Sequence, residues 1–173
     1  SIPSGVTVYV ASTPVDFRAA RTFRFVRAQF DAASGTAELV YAFDEQVEFI
    51  ERIGFPDAPA LPAARRAAFD AALRLLHLLA GVSYYKAVVP PQIVVEGMDL
   101  DTDTAHLCAQ VYEHGLGEFA WQNRIDLRGR VSFAGAASAR RDAPAAPVLD
   151  LPRSTLVPIG GGKDSLVSIE LLK

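Results

Sequence analysis

Cysteine is almost missing from this chain. Cys108 is the only one among 173 residues, so no internal disulfide forms and a reducing compartment is the natural setting. On that ground the sequence reads as a cytoplasmic protein. An excess of charge of either sign is missing too: 17 Lys and Arg stand against 20 Asp and Glu, for a net charge of −3. That balance gives no electrostatic case for nucleic acid or for an anionic membrane as partner. No stretch approaches the roughly 20 consecutive apolar residues of a spanning helix. The first residues also lack the basic region and cleavage pattern of a secretory signal. What remains is apolar bulk: half the residues are hydrophobic, enough for one ordinary domain and a fragment of a second.

Residues 1–21 carry little pattern, and Val6-Thr-Val-Tyr-Val10 reads either as a strand or as an ordered leader. From Thr22 to Phe30 apolar and polar residues alternate with period two, and Asp31 to Gly35 supply turn chemistry. Ala37–Phe43 and Val47–Ile53 are two further strands, joined through Asp44-Glu45-Gln46. Three strands with short connections predict an antiparallel meander with one face buried. Three prolines in Phe55–Pro62 exclude regular structure there and lead into a helix with Pro62 in its first turn. Phe69, Ala72, Leu73, Leu76, Leu79 and Ala80 form its stripe, widened by Leu75 and Leu78, with Gly81 as its end or a bend. Arg65, Arg66, Asp70 and Arg74 fall on its other faces. Gln92–Glu96 is a short strand. Asp101–Thr104 offer N-caps for a second long helix carrying Ala105, Cys108, Val111, Tyr112, Gly115 and Phe119. Leu127–Phe133 is a terminal strand or extended segment.

The resulting expectation is an α+β domain over residues 22–133, an antiparallel β-meander packed against two long helices. Residues 134–152, rich in Ala and Pro, read as a linker. Within the domain, His77 among leucines is expected to be a satisfied core or boundary histidine. Tyr84, Tyr85 and Lys86 join two hydroxyls and a cation, and are candidates to line a pocket for an anionic substrate; packed tyrosines beside a solvated lysine are the competing reading. His106, Cys108 and His114 lack metal-site spacing, so no metal site is expected. Cys108 sits on an apolar face, unlike a nucleophile. Glu113 and Glu118, which flank His114, suit a solvated helix edge better than acid–base work.

The stretch that carries chemistry is Thr155-Leu-Val-Pro-Ile159, then Gly160, Gly161, Gly162, Lys163, Asp164 and Ser165, then the apolar Leu166-Val-Ser-Ile-Glu-Leu-Leu172. Strand, glycine loop and helix N-terminus make a phosphate-binding arrangement: glycine lets backbone approach an anion, and the free N–H groups favour negative charge. Asp164 after Lys163 breaks the Walker A pattern. The spacing resembles instead the S-G-G-x-D-S loop of ATP pyrophosphatases, with Gly160 in place of the leading serine. Residues 153–173 therefore read as the first strand, loop and helix of an α/β adenine-nucleotide hydrolase-like domain. One strand and one helix cannot bury a sheet on both faces, and the only methionine is Met98. The expectation is a piece of a longer protein.

Taken together, Phe23–Arg27, Glu38–Phe43, Leu73–Lys86, Tyr112–Phe119 and Leu156–Leu166 resemble the N-terminal part of the ATP-dependent UDP-N-acetylmuramoyl-L-alanyl-L-glutamate epimerases of bacterial peptidoglycan synthesis. The resemblance implies a UDP-linked muramoyl dipeptide as substrate, ATP and Mg²⁺ as cofactors, and inversion of the terminal L-glutamate to D-glutamate. AMP transfer to the carboxylate neutralises it and acidifies the α-hydrogen for removal by a base. In this picture Gly160 to Ser165 hold the β,γ-phosphates, Lys163 adds charge and Ser165 a hydroxyl. The epimerising base and acid are expected downstream, which would leave this chain alone inactive. The alternatives are another adenylating ligase or thiolase with the same loop, or a recognition module without activity of its own.

Overall fold

The computed structural model describes residues 5–10, 19–45, 47–58, 60–134, 157 and 162–172. Strands β2 (Thr22–Asp31), β3 (Thr36–Phe43) and β4 (Val47–Gly54) follow one another as antiparallel neighbours, the predicted meander. Strand β1 (Gly5–Val10) pairs antiparallel with the far side of β4, so the strand reading of that segment holds. Strand β5 (Gln92–Val95) lies parallel to β2 over Thr22–Phe25. The sheet thus has five strands in the order β1-β4-β3-β2-β5 and is mixed rather than purely antiparallel. The parallel pair follows from the crossover between β4 and β5, which carries a helix across one face.

That crossover begins with a 3₁₀ turn at Ala63–Arg65, with Pro62 as its N-cap, and continues as α1 (Arg66–Ala80). Gly81 bends the chain into the short α2 (Val82–Tyr85). Helix α3 (Thr102–Gly115) starts at Asp101, whose carboxylate accepts from the Thr104 amide at 2.9 Å and from its hydroxyl at 2.6 Å. The expected second long helix is broken at Leu116 and resumes as α4 (Gly117–Asn123), closed by Arg124 in the left-handed conformation. Leu127–Phe133 forms no strand. A turn at 128–130 leads to residues without regular structure, among which Val131 and Phe133 are buried, and the Phe133 ring packs on Phe25 and Tyr112.

The core lies between the sheet and the helices. Phe23, Phe25, Ala37, Leu39, Tyr41 and Phe43 face Leu73, Leu78, Tyr85, Cys108 and Tyr112. At the sheet centre the expectation of one buried face is exceeded, because Val40, Ala42 and Ile50 are buried as well. The register explains it. Arg27 and Ile50 flank Val40, while Arg24 and Glu48 flank Ala42, so long side chains lie over small ones. The stripe of α1 also differs from the prediction. Leu73, His77 and Leu78 are buried, whereas Ala72 is exposed and Leu75 and Leu76 keep 39% and 37% of their surface. The helix is turned so that His77, which has a polar partner waiting on the sheet, takes the centre.

Candidate functional site

The phosphate-loop expectation is only partly visible. Gly160, Gly161 and the strand Thr155–Ile159, apart from Val157, lie outside the described residues, as does residues 135–152 of the linker. Gly162 is the extended N-cap of α5 (Lys163–Leu171), with φ −87° and ψ 164°. A glycine there offers no side-chain acceptor to the first-turn N–H groups, and Lys163 and Asp164 are exposed beside them. Such a donor set suits phosphate oxygens. The Ser168 hydroxyl donates to the Asp164 carbonyl at 2.9 Å, which holds the first turn closed.

Tyr84, Tyr85 and Lys86 do not converge on a pocket. Tyr85 is fully buried and donates to the Pro90 carbonyl at 3.4 Å. Tyr84 stacks on Tyr41 with ring centroids 4.7 Å apart, and its hydroxyl is bonded to Glu51. Burial first, then that carboxylate, pushes the Tyr84 phenol up to about 12. Lys86 is exposed. His77 is a satisfied core histidine, as expected: its Nε2 lies 2.9 Å from the Val40 carbonyl. A carbonyl only accepts, so Nε2 carries the proton of a neutral ring. Burial depresses the imidazole to about 4, against the smaller opposing effect of that bond. Cys108 is buried, and desolvation pushes its thiol up to about 11, away from nucleophile or ligand chemistry. Among the described residues no group of three or more His, Cys, Asp or Glu is placed to hold a metal ion.

Sequence reasoning missed a cleft of about 490 Å³ along one edge of the sheet. Beyond Phe25 a bulge shifts the β2 register, and β5 ends at Val95, where Gly97 turns the chain away with φ +69°. Among the described residues, therefore, no strand lies against Val26–Asp31 on that side. The cleft runs along this edge under α1. Phe25, Phe30, Leu73 and Met98 give it an apolar lining, and Arg27, Arg66, Asp70 and Arg74 give it charge. Arg66 Nε lies 3.0 Å from both Asp70 carboxylate oxygens. Glu96, at the mouth, is held by Arg24. Arg74 has no hydrogen bond or ion pair with any described residue. The sequence placed Arg66, Asp70 and Arg74 only off the apolar stripe of the helix, and which strand edge they overhang was not visible in it.

The profile of the MurL N-terminal domain matches residues 15–173. The chain belongs to the MurL N-terminal domain family. Three relatives are called UDP-N-acetyl-alpha-D-muramoyl-L-alanyl-L-glutamate epimerase. The protein of Xanthomonas oryzae pv. oryzae is 54% identical over 153 residues, which cover 88% of this chain and 33% of the relative. That of Salinispora tropica is 37% identical over 87% of this chain and 33% of its own. A Micromonospora protein is 36% identical, with shares of 87% and 34%. The chain thus spans about a third of the length of the curated relatives it matches. No solved structure gives a significant match. No helix among the described residues is long and apolar enough to cross a membrane.

Proposed function

We propose that the protein of which this chain is the MurL N-terminal domain is a cytoplasmic, ATP-dependent isomerase of peptidoglycan synthesis. It inverts the terminal L-glutamate of UDP-N-acetylmuramoyl-L-alanyl-L-glutamate by way of carboxylate adenylation. Family membership supports this reading, together with the relatives' shared name. The observation that links it to ATP is the glycine-capped helix beginning Lys163-Asp164-Ser165.

A carboxylate acidifies its α-hydrogen poorly, because the carbanion adds charge beside existing charge. Adenylation removes that charge and makes proton abstraction accessible to an ordinary base. Gly160 to Ser165 would hold the β,γ-phosphates of ATP, with the Ser165 hydroxyl and the Lys163 ammonium as the side-chain donors. Asp164 is the carboxylate that would help to hold Mg²⁺, and the bound ion would supply charge neutralisation to pyrophosphate. Of Tyr84, Tyr85 and Lys86, only the exposed Lys86 is offered to the substrate, while the two tyrosines are engaged in the fold.

The test is AMP release and radiolabelled pyrophosphate exchange by the full-length protein with the UDP-dipeptide, followed by chiral analysis of the glutamate. Asp164→Ala and Gly161→Ala should lower AMP formation by about 100-fold or more while the circular dichroism spectrum is kept. AMP release at the parent rate in both variants would remove the loop from the mechanism. Exchange with a different carboxylate or a nucleobase in place of the dipeptide would assign the protein to another adenylating class.

A further inference from the structure

We infer that the cleft beside Val26–Phe30 is a strand-addition site for an extended acidic peptide, here the L-alanyl-L-glutamate end of the substrate. The identity of the peptide rests on the epimerase reading above; the strand edge and the charge do not. A strand edge presents backbone N–H and C=O groups spaced to pair with another extended chain. Val26–Phe30 is such an edge, left without a neighbouring strand among the described residues by the bulge and by the early end of β5. Five residues span about 17 Å, ample for a dipeptide with its acyl group, which extends over roughly 10 Å.

The charges select the kind of peptide. Asp70 is held by Arg66, and Glu96 by Arg24, so both carboxylates of the cleft are already matched. Arg27 on the outer face feels Glu38. Arg74 is left without a partner among the described residues, and a guanidinium takes a carboxylate through two parallel N–H bonds. Arg27, which also lines the cleft, has no hydrogen bond or ion pair with a described residue either, so the second carboxylate of a terminal glutamate has a cation of its own. Phe30 and Met98, the partly exposed large apolar residues of the lining, provide the wall against which a small side chain such as alanine sits.

Hydrogen–deuterium exchange of the full-length protein reads the edge directly. Saturating N-acetyl-L-alanyl-L-glutamate should slow exchange over residues 26–30, and the uncharged diamide of the same peptide should not. Arg74→Ala should weaken binding about tenfold or more, with partial rescue by Arg74→Lys. Arg74 is on the helix surface, so the variant keeps the fold. In the enzyme assay Arg74→Ala should raise KM for the UDP-dipeptide. The proposal is overturned if the peptide gives no protection over 26–30, or if the diamide protects as well. It is overturned likewise if UDP protects this edge and the peptide does not. Protection without any peptide would assign the edge to the protein's own chain and end the proposal. An active enzyme whose KM ignores Arg74→Ala would sink this site and leave the epimerase reading standing. A wild type without pyrophosphate exchange would sink that reading, while peptide protection at 26–30 would still be scored by itself.

Discussion

His77 shows how a single residue couples this fold to pH. Buried against Phe25 and Tyr41, it is neutral in the folded chain, with its imidazole depressed to about 4, while the unfolded chain has the ordinary value near 6.5. Between those values the unfolded state binds the proton and the folded state does not. Stability from this residue is complete above about pH 6.5 and declines as pH falls toward 4. The interval of about 2.5 pH units, at about 1.4 kcal/mol each, sets an upper bound near 3.5 kcal/mol. Urea denaturation of the parent should show this loss between pH 7 and 4.5. His77→Gln, which keeps an amide donor for Val40, should flatten the slope over that range. An equal slope in parent and variant would assign the acid sensitivity to other groups.

At the scale of elements, the α1–α2 corner is the tightest joint. Gly81 has an ordinary helical φ of −55°, so alanine would gain about 1 kcal/mol in propensity if space allowed. Space does not allow it: a Cβ there would lie 2.5 Å from Phe25 Cε1 and 2.7 Å from the Tyr112 hydroxyl. Both rings are fully buried, and the Tyr112 hydroxyl donates to the Leu78 carbonyl at 2.7 Å, so neither yields freely. Overpacking of about 1–3 kcal/mol should win, and Gly81→Ala should lower the urea midpoint by about 1–2 kcal/mol in stability. A raised midpoint would mean that the rings yield. The sequence marked Gly81 as an end or bend without naming what it touches. Strands β2 to β4 were legible because their period-two patterns and the turns at Asp31–Gly35 and Asp44–Gln46 are local. The partner of β5 was not, since its pairing spans 70 residues, as in the Thr22–Gln92 side-chain bond at 3.3 Å. Leu75 and Leu76 were expected to be buried because periodicity gives the width of an apolar arc but not where the sheet meets it. Arg66, Asp70 and Arg74 were legible as lying off the apolar stripe, and the cleft beneath them was not, because an open strand edge exists only once the sheet has formed.

For the whole molecule, the described residues hold a folded sheet-and-helix layer and the helix Lys163–Leu171. We expect this chain by itself to release no AMP from ATP in the presence of the UDP-dipeptide, measured by chromatography, under conditions where the full-length protein does. AMP formation by the isolated chain would place the adenylating machinery within it. The parallel pairing of β5 with β2 has a consequence of another kind. Hairpins β2–β3 and β3–β4 close short loops and reward their entropy cost at once, whereas β5 reaches β2 only after α1 and α2 have crossed the sheet. In refolding kinetics, substitutions at Ile93 should therefore speed unfolding and leave the folding rate nearly untouched, while substitutions at Leu39 slow folding. The cleft wall formed by β5 is then the last part of the sheet to assemble and the first to open.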